Sequence, residues 1–200
     1  TAETWLKSQG MTQILGPFSL SINEESGLLI DGFNTPPYMM MPHHSPNYHH
    51  WITSLGFIKA KDLLAFTLDL TQPFSKKWDR FIKRAQSTPV QTHTLNMKDY
   101  DQEMDSSFAL FNSAWRNNWG FLPFEDTIIN HLKTDFKLLL DPHFCISATK
   151  DNKKVGFMYA FPNLNDAIFD LNGHLFPFGW LKLLYRLKIK PTQAVRVVFG

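Results

Sequence analysis

The sequence predicts an α/β fold with a mixed sheet, and three observations carry that expectation. Apolar residues recur at helical spacing in two runs: Phe108, Phe111, Ala114 and Trp115, then Ile128, Ile129, Leu132, Phe136, Leu139 and Leu140. Two strand-like stretches, residues 144–149 and 155–161, flank the turn signal Asp151-Asn152-Lys153. A β-branched run, Val195-Arg196-Val197-Val198-Phe199, supplies a further strand.

Taken in order, the chain opens with a helix over residues 2–8, stopped by Gly10. Residues 11–15 read as a strand before Gly16-Pro17, and residues 20–22 and 28–30 as short apolar runs. The proline- and methionine-rich stretch 34–42 denies a helix. Pro46 can start one over residues 47–54, with Gly56 as its stop. Phe57 and Ile58 then open a strand, and Leu64, Phe66 and Leu68 alternate with Ala65, Thr67 and Asp69 as a strand would over 61–70. Gln72-Pro73 breaks it. Ser75 can cap a short basic helix in which Lys76, Lys77, Arg80, Lys83 and Arg84 surround Trp78, Phe81 and Ile82. A membrane or nucleic-acid role is open to that connector, and a solvated helix face is the plainer reading.

From Val90 onward the expected order is a strand at 91–95, a helix capped by Asp105 or Ser106, a loop at 117–121 and a second helix introduced by Pro123. The hairpin follows, then a helical insertion at 165–172 and 178–187, then the strand at 195–199. The organisation expected is therefore residues 1–70, a basic connector at 71–89, and residues 90–200, with no internal repeat.

Composition excludes several classes. The 200 residues are 44% hydrophobic and 19% charged, as in a globular chain. A formal net charge of +2 gives no footprint for a nucleic-acid partner. Eighteen Phe and six Trp suit a core or an apolar cleft for an acyl-like ligand. One cysteine, Cys145, rules out an intrachain disulfide and reads as a core residue. No apolar run approaches the roughly 18 residues of a bilayer span, so no membrane partner and a cytoplasmic location are expected. The chain opens inside a helix without an initiator Met and closes on a strand, and it reads as a fragment.

Several residues stand out chemically. His43, His44, His49 and His50 form the densest polar cluster, yet no Cys or carboxylate lies beside them, so no metal is expected. Glu24 is a candidate general base, with Glu25 beside it. Met39, Met40 and Met41 read as an apolar plug or lid. Trp115, Trp119 and Phe121 stand at a helix–loop junction, where core packing accounts for Trp115.

Longer motifs add a resemblance. Phe111-Asn112-Ser113-Ala114-Trp115, Asn118-Trp119-Gly120-Phe121, Val155-Gly156-Phe157, Pro162-Asn163-Leu164-Asn165 and Leu175-Phe176-Pro177-Phe178-Gly179-Trp180 mark the second segment. Gly16-Pro17-Phe18-Ser19-Leu20-Ser21-Ile22-Asn23, Gly27-Leu28-Leu29-Ile30-Asp31-Gly32-Phe33 and Leu55-Gly56-Phe57 mark the first. Together they resemble the GNAT superfamily of acyl-CoA N-acyltransferases, in a bacterial family with two GNAT-like domains. The resemblance implies the back half of one domain followed by the front half of the next.

It implies an acyl-CoA cosubstrate, acetyl-CoA or another, and an amine on a small molecule or peptide as acceptor, with Trp115, Trp119 and Phe121 at the junction where such proteins commonly shape the acceptor pocket, Trp119 the better candidate. The backbone of Val197, Val198 and Phe199 would pair with pantetheine as the fourth strand, beside a splayed parallel fifth strand. The pyrophosphate loop would come after Gly200. The family's general acid is often a Tyr four residues before the Gly of the Gly-Phe pair. Ile52 stands there in this sequence, and Tyr48, one helical turn earlier, is the substitute candidate. Ile52 equally suits a non-catalytic binding or scaffold module. The strands at 11–15 and 195–199 would be complementary edges, joining the halves into a circularly permuted unit or a strand-exchanged homodimer.

Overall fold

The computed structural model describes residues 1–189 and 193–199. The chain divides into two compact units, Thr1–Ala65 and Phe66–Gly200.

In the first unit, helix α1 spans Ala2–Ser8. The Thr1 hydroxyl accepts from the Thr4 N–H at its start, with Glu3 in the first turn and Lys7 in the last, so cap and charges match the helix dipole. Gly10, at φ 77°, takes the left-handed conformation that ends it. Strands β1 (Phe18–Ser19) and β2 (Ser21–Ser26) form a small antiparallel ribbon. Helix α2 (Asn47–Ser54) follows Pro46, and Gly56 at φ 88° stops it.

Several strand-like stretches between residues 11 and 70 do not form strands. Residues 11–15 carry no strand: the Met11 N–H donates to Leu6 O of α1, and no neighbour offers a ladder. The exchange of edges between 11–15 and 195–199 therefore lacks one of its strands. Residues 28–30 and 57–58 are likewise irregular. The alternating stretch 61–70 is not a strand either: Leu64, Phe66 and Leu68 are 76%, 88% and 63% exposed, so the pattern has no face to bury. No residue of 1–65 is fully buried.

The second unit opens with α3 (Lys76–Gln86), preceded by Ser75 in extended conformation. Its core is a four-stranded antiparallel sheet in the order β3 (Gln91–Thr94), β4 (Cys145–Lys150), β5 (Lys153–Pro162), β6 (Val195–Phe199). In the β4–β5 hairpin, Asp151 and Asn152 have φ 50° and 58°, the pair of positive values a type I′ turn requires. The register sets Cys145 opposite Tyr159 and Tyr159 opposite Phe199. That row points inward and is almost wholly buried.

Helix α4 (Tyr100–Trp115) starts five residues before the expected cap at Asp105. The Asn96 side chain accepts from the Lys98 N–H and starts a 3-10 turn that leads straight into it. Asp105 instead faces α5 (Asp126–Leu139), where Lys133 Nζ reaches it at 2.7 Å. Tyr100, Met104, Ser107, Phe108 and Phe111, spaced 4, 3, 1 and 3 apart, are the buried stripe of α4. Phe136 of α5 meets Phe161 and Phe199 from the sheet. After β5 come α6 (Leu164–Ile168) and α7 (Gly179–Lys188). Asp170, on the 3-10 turn after α6, pairs with Lys182 and Arg186 of α7. Those two partners hold its carboxyl well below the usual carboxylate range.

Candidate functional site

Edge strand β6 carries the expected cofactor residues. Val197 is 54% exposed, Val198 is half-buried, and the Phe199 side chain is buried. Phe199 is the hub of an aromatic cluster, with ring centroids 5.5 Å from Phe111, 5.8 Å from Phe108, 6.0 Å from Phe124 and 5.4 Å from Phe136. Phe111 extends it to the expected acceptor residues, stacking on Trp115 at 5.2 Å and meeting Phe121 edge-on at 5.7 Å. The Asn112 amide staples this corner, donating to Phe124 O and accepting from its N–H. Val197–Phe199 and the Trp115–Phe121 corner are thus neighbours through Phe111. Trp119 stands in the same loop, 39% exposed.

β6 pairs with β5 in antiparallel sense, and its other edge has no partner strand among the described residues. The splayed parallel neighbour expected from the resemblance is therefore not among them. Below the sheet, the void lined by Met104, Ser107, Phe108, Phe157, Tyr159 and Phe199 measures about 10 Å³, room for one water at most. That void has no room for an extended ligand, and the open edge of β6 is a surface along which one could lie.

A second constellation was not foreseen. Lys154, at the start of β5, is 8% exposed in its side chain. Its ammonium donates to Glu103 Oε2 at 2.6 Å, Glu103 O at 2.8 Å and Ser107 Oγ at 2.7 Å, so all three N–H groups are used. Ser107 and Tyr159 share a hydrogen bond of 2.7 Å, and His93 Nε2 of β3 lies 3.1 Å from Glu103 Oε1. Burial alone would raise the Glu103 pKa. The hydrogen bonds from Lys154 and His93 outweigh it and leave the carboxyl below its ordinary range.

With its donors filled, Lys154 has no free pair for nucleophilic work, and Tyr159 is too buried to meet a substrate. The network's chemistry is positional: it pins the hairpin to α4. His93, its exposed end, stands on the edge opposite β6, three strand spacings or about 14 Å away. These partners come from β3, α4 and β5, and no local pattern in the sequence links them.

The first unit holds a cleft of about 210 Å³, lined by Leu6 and Lys7 of α1, residues 11–14, and Leu55, Gly56 and Phe57. That is below the usual range for small-molecule sites, roughly 300 Å³ upward. Glu24 and Tyr48 do not line it. Glu24 is exposed on β2. Tyr48 is 42% exposed and lies between the tilted rings of His44, at 5.4 Å, and Trp51, at 5.2 Å, as a packing residue would. Cys145 is fully buried, and burial pushes its thiol up to about 12, against partial relief from the Ala160 backbone. Among the described residues, no group of three or more His, Cys, Asp or Glu could hold a metal ion, and no helix is long and apolar enough to cross a membrane.

No family model matches the chain, and no solved structure matches it. Among curated proteins it is similar to Protein YghO of Escherichia coli (strain K12), 44% identical over 197 residues that cover 98% of this chain and 50% of the relative. It is also similar to the protein named bacterial ceramide synthase of Caulobacter vibrioides, 39% identical over 196 residues that cover 98% of this chain and 51% of the relative. The chain spans about half the length of the curated relatives it matches, and the name of the second places an acyltransferase-type protein among those relatives.

Proposed function

We propose that the whole protein to which these residues belong is an N-acyltransferase. It would transfer a long acyl group from acyl-CoA to the amine of a long-chain amino alcohol. The observation that carries this reading is the 39% identity, along 98% of the chain, to a protein named a ceramide synthase. A ceramide is an amide of a fatty acid and a long-chain amino alcohol. That chemistry favours a long acyl donor over acetyl.

In this reading the amine nitrogen attacks the thioester carbonyl. A C–N bond forms, the C–S bond breaks, and the amine's proton leaves while the CoA thiolate gains one. The backbone groups of Val197, Val198 and Phe199 on the open edge would pair with the pantetheine amides. Strand N–H groups are also suitable donors to a developing oxyanion. The ridge of Trp115, Trp119 and Phe121 would border the acceptor's apolar chain. Tyr48 and Glu24, the acid and base suggested by the sequence, stand at exposed positions in the first unit.

A GNAT-like binding or scaffold module is the second reading, favoured by Ile52 at the usual acid position and by Tyr48 lying outside the cleft. Release of free CoA thiol by the whole protein separates the two. The acyltransferase reading predicts release that requires the amino alcohol and is at least tenfold faster with a long-chain acyl-CoA than with acetyl-CoA. No amine-dependent release with either donor would leave the binding module standing.

A further inference from the structure

Helix α3 (Lys76–Gln86) is at odds with its surroundings: all eleven of its residues are exposed, although it carries Trp78, Phe81 and Ile82. At 3.6 residues per turn, Trp78, Phe81, Ile82 and Ala85 fall on one arc of about 100°. Lys76, Lys77, Arg80, Lys83 and Arg84 fall on the opposite side, and Asp79 is the helix's one acidic residue. The aromatic face begins before the helix: Phe74 lies 5.9 Å from Trp78, and Trp78 lies 6.2 Å from Phe81. Upstream, Phe66, Leu68 and Leu70 are 88%, 63% and 67% exposed, so the apolar surface continues into the chain that enters the helix.

A merely solvated face would explain the lysines and arginines but not a Trp–Phe ridge held in water. A wholly apolar partner would explain the ridge but not the dense positive arc across from it. One environment matches both halves at once: a layered one, apolar below and anionic at its rim. We propose that α3 is an interfacial helix that lies flat on an anionic phospholipid bilayer. Trp78, Phe81 and Ile82 would sit at the acyl boundary, with Lys76, Lys77, Arg80, Lys83 and Arg84 among the headgroup phosphates. The absence of a spanning segment argued against a membrane partner. A helix lying in the surface needs no span. This inference does not depend on the acyltransferase reading, and its test does not read activity.

The test is co-sedimentation of the whole protein with vesicles of pure phosphatidylcholine and of phosphatidylcholine containing phosphatidylglycerol. Binding is expected to the anionic vesicles only, and to fall steeply as salt is raised. Lys83→Gln with Arg84→Gln, on the exposed arc, is expected to weaken binding by about tenfold or more, since each cation near an anionic surface counts separately. Trp78→Ser with Phe81→Ser is expected to abolish what binding survives salt, with an unchanged circular dichroism spectrum and melting temperature. Equal sedimentation with both vesicle types, binding to RNA but not to vesicles, or charge variants that bind like the unaltered protein would each overturn the proposal. So would a Trp78→Ser, Phe81→Ser protein that loses its fold or changes its oligomeric state, because the ridge would then be covered by protein.

Discussion

Lys154 and Glu103 form the ion pair whose loss the second unit would feel most. Removing the ammonium leaves a largely buried carboxylate, the Glu103 carbonyl and the Ser107 hydroxyl each short of a partner. Lys154→Met is expected to cost about 3 kcal/mol, the low end for a broken buried pair, because Glu103 keeps some contact with water. Urea unfolding of the whole protein measures it. The pH dependence has a definite sign. The Glu103 pKa in the fold lies below its unfolded value of 4.5, so the unfolded chain binds more protons between the two values. The pair's contribution is complete above pH 4.5 and fades as pH falls through the folded value. Glu103→Gln should flatten that part of the acid limb. Cys145, by contrast, should be inert in the native state: thiol labelling near neutral pH should occur only after denaturant is added. The sequence already marked Cys145 as a core residue. It gave no hint of Lys154, which reads as one more cation after a turn, because three separate elements supply its partners.

At the scale of elements, the parts legible in the sequence were those specified by neighbouring residues. The stops at Gly10 and Gly56, the start after Pro46 and the Asp151-Asn152 turn all use local backbone chemistry. Helices α1 and α2 fall on their expected residues for that reason, and strand β6 falls on its own because β5 pairs with it. The stretches 11–15 and 61–70 have strand-like side chains, but a strand exists only through its partner, and none is supplied. The start of α4 was hidden because Asn96 caps a preceding 3-10 turn rather than the helix itself. The turn also offers a test. Asn152→Gly keeps the positive φ without a Cβ and should be neutral or stabilising by about 0.5 kcal/mol. Asn152→Val forces a branched side chain into the left-handed region and should cost about 1–2 kcal/mol. Thermal unfolding of the two variants side by side reads the difference.

For the molecule as a whole, the sequence conveyed the mixed α/β character, and the four antiparallel strands with α4 and α5 agree with it. The candidate site was legible in part. Val197, Val198 and Phe199 do gather with Trp115 and Phe121, because the aromatic spacing on α4 and the strand register both direct them to one corner. Tyr48 and Glu24 are in the other unit, at exposed positions, since a motif offset fixes which residue is nominated but not what it faces. The chemistry itself is tested most directly by a doubly labelled turnover experiment on the whole protein, with a deuterated long-chain acyl-CoA and a nitrogen-15 amino alcohol. The account predicts one amide carrying both labels, formed in equal amount to the CoA released. Released CoA with a free labelled acid and no labelled amide, or no release at all, would contradict it.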